Sequence, residues 1–380
     1  MSGLLDTVVT VLLFFFILGS LVVLHELGHF VTARLVGVRV LEFGIGFPPR
    51  AKVLRASGET LYTLNWLPIG GFVKLEGEDG DDTDDPRSFA NASLPTRLLI
   101  LVAGVAMNLV TSFLIFLLIA WLAAPVVGIR VPVVEPGSPA EVAGLRAGDA
   151  IVSVDGQRHD LFTLAGANVL NDLRNRPGET VTLEVERADG RTDTLTATLR
   201  TAEESRDPDG DGPLEAKGAL GIRVSDPEAG FPPHFPGEAI QRDLPSAVGI
   251  AAEETIRWFG LILGGLGQLV GNFVSDPTAA PPVQGPIGIA TSIGQVFRDF
   301  GPVMTLYVAG ILSANLALVN ALPFPPLDGG RMLVIVLKRI FGTRISLQAE
   351  RLTYFVGFAF LMAFLLWVTV FDVIRGGSPT

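Results

Sequence analysis

The residues with the clearest chemistry form the sequence HELGH at positions 25–29. On a helix, His25 and His29 lie four residues apart and face the same side, so both imidazoles can bind one zinc ion. Glu26 follows the first histidine and is placed to take a proton from an attacking water molecule. Ionisable side chains in an apolar helix are costly and usually functional. The motif therefore predicts a Zn²⁺ site with Glu26 as the catalytic base.

A third zinc ligand must come from elsewhere in the chain, because catalytic zinc usually has three protein ligands. The chain has no cysteine, and its other two histidines, His159 and His234, lie in a polar insert. A carboxylate is therefore expected, and the segment NALPFPPLDGG (320–330) offers Asp328. Its prolines forbid a continuous helix, and broken backbone at membrane depth is tolerated where it lines a watery cavity. We predict Asp328 as the third metal ligand.

Long apolar runs indicate that membrane helices position these residues. Hydrophobic residues make up 49% of the 380 residues and charged residues only 18%, whereas soluble chains carry nearer a quarter charged residues. A helix of about 20 apolar residues crosses the hydrocarbon core of a bilayer. Four uncharged runs are long enough to span, at Thr7–Leu24, Leu98–Ile129, Phe300–Leu327 and Leu352–Phe371. A fifth apolar stretch, Trp258–Ser275, holds five glycines and either spans or lies flat at the interface.

The charge and the cysteine content exclude several classes of protein. The net charge of −11 is unsuited to nucleic acid, whose phosphates require a basic surface. The lack of cysteine excludes a disulfide framework, a thiol nucleophile and cysteine-ligated metals. We therefore expect the lipid bilayer as a partner, and no nucleic acid.

The distribution of Lys and Arg predicts which loops are cytoplasmic. Arg34–Arg97 contains eight and Arg331–Arg351 contains five, whereas the first apolar run contains none. Both basic loops are expected inside, and the insert 130–247 outside. Because Asp328 must reach the depth of the histidines, Trp258–Ser275 cannot make a single crossing. We predict four transmembrane helices, both termini outside, and this fifth stretch along the outer surface.

The polar insert has the pattern of a small β-rich domain. Thr180–Glu186 and Thr192–Leu199 alternate with period two around a turn, which predicts a hairpin. The run PGSPAEVAGLRAGDAIVSVDGQ (136–157) resembles the PDZ family, whose members bind extended peptides as an added strand. GALGI (218–222) is a candidate closing strand, and a helix is expected within Leu161–Leu173. Capture of a peptide and steric filtering of substrates both remain open.

Two acidic stretches are predicted to be solvated. EGEDGDDTDD (76–85) is expected in a cytoplasmic loop, as is usual for runs of charge. DPDGDG (207–212) matches the opening of a calcium loop, but Gly218 occupies the twelfth position, where such a loop needs Glu. A linker is therefore the favoured interpretation of this segment, with calcium binding as the alternative.

Together these motifs resemble the site-2 protease family, in its regulator-of-sigma-E protease branch. The resemblance rests on HELGH, on N-x-x-P-x-P-x-L-D-G at Asn320–Gly329 and on the PDZ-like insert. FGIGFPP (43–49) and PIGGFVKLEGE (68–78) match segments that flank a membrane re-entrant β-hairpin in that family. In AGVAMN (103–108), Val105 stands where the family often has proline. The second helix is therefore not expected to have the kink that proline causes.

The resemblance implies a polytopic α-helical membrane protein with four transmembrane helices, a re-entrant β-hairpin and an extracytoplasmic PDZ domain of α+β fold. Arg50–Arg55 and Glu59–Trp66 are predicted as the strands of that hairpin. The implied activity is that of an intramembrane zinc metalloprotease of the bacterial inner membrane, with its active site near the cytoplasmic side. Its implied substrates are single-pass membrane proteins, such as anti-sigma factors or remnant signal peptides.

The resemblance also implies how substrate is held. An edge of the hairpin 43–75 would pair with the substrate as an added strand. The implied substrate-binding residues are Asn320, Pro323, Gly44 and Gly46.

Two other classes of function remain open. One is a catalytically inactive PDZ scaffold, against which the intact motifs argue. The other is a zinc transporter, which would place ionisable residues along a path across the membrane. The predicted organisation is helix 1 with HELGH (1–36), hairpin and acidic loop (37–97), helix 2 (98–124), PDZ domain (125–224), linker and interfacial helix (225–299), helix 3 with LDG (300–330), cytoplasmic loop (331–351) and helix 4 (352–371).

Overall fold

The structure is a computed structural model that describes residues 2–78, 85–163, 168–205, 218–223, 233–275, 281, 283–342 and 346–374. The chain forms two compact units, Met1–Leu117 with Ala251–Thr380, and Leu118–Ile250. The segment 207–212 and most of the acidic stretch 76–85 lie outside the described residues.

Most of the first unit is helical. The α-helices of both units are α1 (Ser2–Leu35), α2 (Leu94–Leu122), α3 (Pro139–Val142), α4 (Val169–Arg174), α5 (Leu244–Ser275), α6 (Pro286–Ala321), α7 (Asp328–Phe341) and α8 (Leu347–Ile374). Among the described residues, five of these helices are long and apolar enough to cross a membrane, namely α1, α2, α5, α6 and α8. The chain is therefore a polytopic membrane protein.

The helices differ from the apolar runs mainly at their ends. The run Leu98–Ile129 is longer than its helix, because α2 ends at Leu122 and the following residues enter short strands of the second unit. The stretch Trp258–Ser275 is the second half of α5, which begins at Leu244. α2 continues without a break through Val105, so the kink that proline would cause is absent.

Helix α6 is interrupted once and then ends where the sequence predicts. Gly301 has a φ of 77° inside it, in the left-handed region that glycine tolerates. Pro302 follows and cannot donate a backbone hydrogen bond, so two helical segments meet here. α6 stops at Ala321, before the prolines, and α7 begins at Asp328. The predicted break in 320–330 is confirmed, and it places Asp328 in the first turn of a new helix.

A long β-hairpin follows α1. Its strands, β1 (Val40–Ser57) and β2 (Thr60–Leu75), exceed the predicted ones, because both fold back within the sheet. Glu42–Ile45 of β1 has strand partners on both sides, Leu61–Leu64 and Gly71–Lys74. The end of β2 is therefore an outer edge of this small sheet.

The hairpin packs along the apolar first helix. A Cβ atom on Gly19 would meet the carbonyl oxygen of Pro68 at 3.7 Å, and one on Gly70 would meet Val22 at 2.7 Å. Gly70 has a φ of 72°, which lets the strand turn at this point. The hairpin thus reaches α1 more than one turn before HELGH, within the apolar part of the helix.

The second unit contains a six-stranded sheet. The strands of this unit are β3 (Ala124–Pro125), β4 (Gly128–Arg130), β5 (Val133–Val134), β6 (Ala150–Val154), β7 (Gln157–Arg158), β8 (Thr180–Glu186), β9 (Thr192–Thr198), β10 (Ile222–Arg223), β11 (Pro233–His234) and β12 (Ala239–Ile240). The strand order of the sheet is β11–β4–β6–β8–β9, with β7 paired to β6. Two further pairs, β3–β12 and β5–β10, lie outside it.

The core of this unit follows from alternation along its strands. Val181, Leu183 and Val185 of β8 are buried while the intervening residues are more exposed, and β8 and β9 form the predicted hairpin. The GALGI segment contributes β10, which pairs with β5 rather than with the main sheet. The expected helix is the short α4, and residues 164–167 before it lie outside the described residues.

Candidate metal centre

The structure brings together three predicted ligands that lie far apart in sequence. His25 and His29 are buried on one face of α1, with their Nε2 atoms 3.2 Å apart. Oδ2 of Asp328 lies 2.9 Å from Nε2 of His25 and 3.3 Å from Nε2 of His29. No other group of this kind is found in the part of the chain that the structure describes.

The spacing of these atoms fits a zinc ion. Zinc bonds of about 2.1 Å at tetrahedral angles hold ligand atoms about 3.4 Å apart. Oδ2 of Asp328 is close enough to both imidazoles for ion pairing, yet it has no hydrogen bond of acceptable geometry within the described chain. Three ligand atoms that converge at this spacing, one of them a buried carboxylate oxygen without a hydrogen bond in the described chain, favour a shared cation. The residues present therefore fit Zn²⁺.

Helix α2 supports the histidines from behind. Nδ1 of His29 lies 2.8 Å from the carbonyl oxygen of Ile100. A carbonyl only accepts, so Nδ1 carries the proton and the Nε2 lone pair of the neutral ring faces Asp328. One turn later, a Cβ on Gly104 would lie 2.3 Å from Nε2 of His29. Only glycine lets α2 approach the centre this closely.

Glu26 lies beside the cluster, and its carboxylate is not one of the three converging groups. Its Oε2 accepts a hydrogen bond of 3.0 Å from the backbone N–H of Val73. Val73 belongs to the outer edge of the hairpin sheet. The predicted base is thus held next to the predicted metal ligands by the outer strand of the hairpin sheet.

The four predicted substrate-binding residues lie in two segments, the end of α6 with the break after it and strand β1. Asn320 donates to the carbonyl of Leu316 in its own helix at 3.0 Å, and Pro323 is exposed in the break after α6. Gly44 is buried, and a Cβ there would lie 2.3 Å from the ring of Phe72.

Gly46 likewise has a structural reason to be glycine. Its φ is 80°, and a Cβ would lie 2.5 Å from the carbonyl oxygen of Leu67. Packing within the hairpin therefore accounts for both glycines, and contact of any of the four residues with substrate stays a prediction.

Two contacts near the centre were not predicted from sequence. Asn108 of α2 is buried, with Nδ2 3.3 Å from Nδ1 of His25. Arg331 lies one turn after Asp328 and forms an ion pair with Glu78, whose other oxygen accepts from the N–H of Leu75 at 3.1 Å. A spacing of four residues places Gly104 and Asn108 on one face of α2 but does not indicate which element that face meets. The second joins segments too distant in sequence to be paired in advance.

Two histidines and an aspartate among apolar helices, with a glutamate adjacent, define a metal-dependent hydrolase of the membrane. The sequence model of Peptidase family M50 matches residues 13–364. The chain belongs to peptidase family M50. It is a membrane zinc metalloprotease, so the predicted family, enzyme class and zinc cofactor are confirmed.

Named relatives agree with this class. Zinc metalloprotease RasP of Geobacillus kaustophilus is 27% identical over 97% of this chain and 98% of its own length. A protein of Clostridium perfringens, named as a candidate zinc metalloprotease, is 32% identical over 94% of this chain and 96% of its own. A chloroplast protein of Arabidopsis thaliana, named as a candidate membrane metalloprotease, is 30% identical over 88% of this chain and 73% of its own.

Proposed function

We propose that this enzyme cuts single-pass membrane proteins within or near their transmembrane segments, in the bacterial cytoplasmic membrane. The observation that carries the proposal is the buried contact of Asp328 with His25, at 2.9 Å, inside a bundle of apolar helices. A peptide bond reaches such a centre only by entering the bundle. Anti-sigma factors and remnant signal peptides are substrates of the expected kind.

His25, His29 and Asp328 are the proposed zinc ligands. A zinc ion held there supplies a Lewis acid, which makes water more acidic and stabilises charge on a carbonyl oxygen. Glu26 takes a proton from the attacking water and delivers it to the leaving amine. Its hydrogen bond to the N–H of Val73 fixes the carboxylate on the side of the hairpin.

The hairpin edge is the proposed seat of the substrate. A transmembrane helix hides its peptide bonds in its own hydrogen bonds, so it must unwind before cleavage. Gly71–Leu75 forms an outer edge of the sheet, and an unwound peptide can add to such an edge as a further strand. Strand addition here would lead the peptide past Glu26. Asn320 and Pro323, in the segment before Asp328, are proposed to hold it from the other side.

The packing of three helices supports a topology of four crossings. His29 of α1 meets Ile100 of α2, while Ile115 packs with the cluster around Ile17, so these two helices run in opposite directions. Thr10 meets Arg298 at one end of α1 and His25 meets Asp328 at the other.

The chain from 298 to 328 therefore advances in the same direction as α1. It must enter from the side on which α2 leaves, so α5 between them makes no single crossing. We propose that α5 lies along or dips into the outer surface, and that the basic loops place the active site near the cytoplasmic side.

The second unit is proposed to be an extracytoplasmic PDZ domain. Its support is the six-stranded sheet with two short helices and the motif 136–157. Peptide capture and exclusion of bulky substrates are the two candidate roles.

The experiment that tests the chemistry separates zinc binding from turnover. Glu26→Gln should retain zinc, since this side chain is no ligand, and abolish cleavage of a single-pass substrate in proteoliposomes. His25→Ala should lose both. Bound metal is measured by atomic absorption on the purified full-length protein. Full activity of Glu26→Gln would overturn the assignment of the base, and full zinc occupancy in His25→Ala would overturn the metal site.

A further inference from the structure

Asn108 is a buried amide whose hydrogen bonding is incomplete. Its side chain is fully buried on α2, and its backbone carbonyl accepts from Oγ of Ser313 at 2.7 Å. Nδ2 lies 3.3 Å from Nδ1 of His25, whereas Oδ1 has no hydrogen-bond partner among the described residues. Because the buried amide faces a proposed metal ligand, it matters whether its oxygen or its nitrogen contacts the imidazole of His25.

The amide orientation determines which nitrogen of His25 carries the proton. With Nδ2 against the ring, Nδ1 must accept, and the neutral imidazole then carries its proton on Nε2. Nε2 is the atom that faces Asp328 and His29, and a protonated Nε2 cannot bind a metal.

Rotating the amide by half a turn exchanges its oxygen and nitrogen with almost no change in shape, and the two are assigned from hydrogen bonding alone. The oxygen then accepts from Nδ1–H, and Nε2 keeps its lone pair. No hydrogen bond to Oδ1 holds the amide in its present orientation, so the requirement of His25 decides.

We propose that Asn108 is a positioning residue of the zinc centre, whose amide oxygen accepts a hydrogen bond from Nδ1–H of His25. It acts through His25 and does not touch the metal. This inference rests on the proposed assignment of His25 as a ligand. It gives both histidines an acceptor on the same helix, because the carbonyl of Ile100 already serves His29.

One face of α2 then forms the outer shell of the site. Ile100, Gly104 and Asn108 follow at intervals of four residues, so they lie on one side of the helix. Ile100 and Asn108 each provide a hydrogen-bond acceptor. Gly104 provides space, since a Cβ atom there would lie 2.8 Å from Cε1 of His25. Partners of this kind fix the tautomer and ring orientation, and their loss typically weakens metal affinity about 10–100-fold.

The test measures zinc affinity of the purified full-length protein by competition with a chromophoric chelator. Asn108→Leu keeps the volume and removes the acceptor, so we expect affinity to fall about 10–100-fold and cleavage to return when zinc is added in excess. Asn108→Asp keeps an acceptor oxygen and should bind zinc at least as tightly as the wild type. Ser112→Ala, at a buried hydroxyl one turn further along α2, is the matched control and should change nothing.

The outcomes separate this inference from the function it rests on. Wild-type zinc affinity in Asn108→Leu overturns the inference, and so does weak binding by Asn108→Asp, because an acceptor alone would then not suffice. If Asn108→Leu does not fold, Asn108→Ala and Asn108→Asp decide on the same measurement. Zinc retained by His25→Ala would instead overturn the metal site itself, whatever Asn108 does.

Discussion

At the scale of residues, the centre depends on small side chains as much as on ligands. α1 and α2 cross closely, because a Cβ on Gly28 would lie 2.4 Å from the carbonyl oxygen of Ala103 and one on Gly104 would lie 2.3 Å from Nε2 of His29. The obstacles are backbone in one case and a proposed metal ligand in the other, so neither can move without disturbing the site. Glycine here is a requirement of the active site.

Gly104→Ala is therefore expected to reduce zinc affinity and cleavage by at least about tenfold, by pushing the imidazole of His29 out of place. Helix propensity alone would favour alanine, so a loss cannot be attributed to a weaker helix. Gly19→Ala, whose Cβ would meet only ordinary contacts at 3.7 Å and beyond, serves as control. Zinc titration and a cleavage assay measure both, and wild-type zinc affinity in Gly104→Ala would refute the packing argument.

At the scale of elements, the hairpin connects the expected substrate strand to the base. The N–H of Val73 occupies the outer edge of β2 and donates to Glu26. The ion pair of Arg331 with Glu78 ties the segment after β2 to α7, the helix that carries Asp328. The hairpin is therefore positioned against both halves of the centre.

Replacing Val73 by proline removes that N–H and leaves the rest of the edge in place, since edge strands tolerate proline where the N–H points outward. We expect cleavage to fall by about 100-fold, in the range that a misplaced general base costs, while zinc stays bound. Val73→Ala keeps the N–H and is the matched control. Equal activity of the two variants would show that the backbone donor is dispensable.

At the scale of the whole molecule, topology follows from contacts more than from hydropathy. All five long helices satisfy length and composition, yet the metal centre requires α1 and the second part of α6 to run in the same direction. These contacts support the proposed four crossings, a number that length and composition alone leave open.

Cysteine labelling tests this topology in a chain with no native cysteine. Ser275→Cys, at the exposed end of α5, should react with a membrane-impermeant maleimide in intact cells or spheroplasts. Ser346→Cys, exposed just before α8, should react only after the membrane is permeabilised. Protection of Ser275→Cys from outside would contradict four crossings.

The second unit can be removed at a point that its own strands define. β3 pairs with β12, and the N–H of Val126 donates to the carbonyl of Glu238 at 3.0 Å, so a short glycine turn can replace residues 127–237. The zinc site belongs to the other unit, so cleavage of a short substrate should persist. Gain of cleavage for a substrate with a large outer domain would support filtering, and loss for both substrates would support capture or a folding role.

Local sequence determined the chemistry of this protein. HELGH predicts two zinc ligands and a base because a helix places positions 25 and 29 on one face. The prolines after Asn320 fix the break that frees Asp328, because proline cannot continue a helix. The length of the apolar runs predicted the membrane helices, and the alternation in Thr180–Glu186 predicted a strand, since both signals lie within one stretch of the chain.

Only the tertiary structure decided which distant groups meet. Nothing local indicates that Val73 donates to Glu26, that Asn108 faces His25, or that β1 has strand partners on both sides. These contacts depend on how the elements pack against one another. The hydrophobic periodicity of a helix or strand reports only which of its faces is buried. For the same reason, sequence alone does not determine whether α5 crosses the membrane. Its length and hydropathy permit a crossing, whereas the directions of α2 and α6 argue against one.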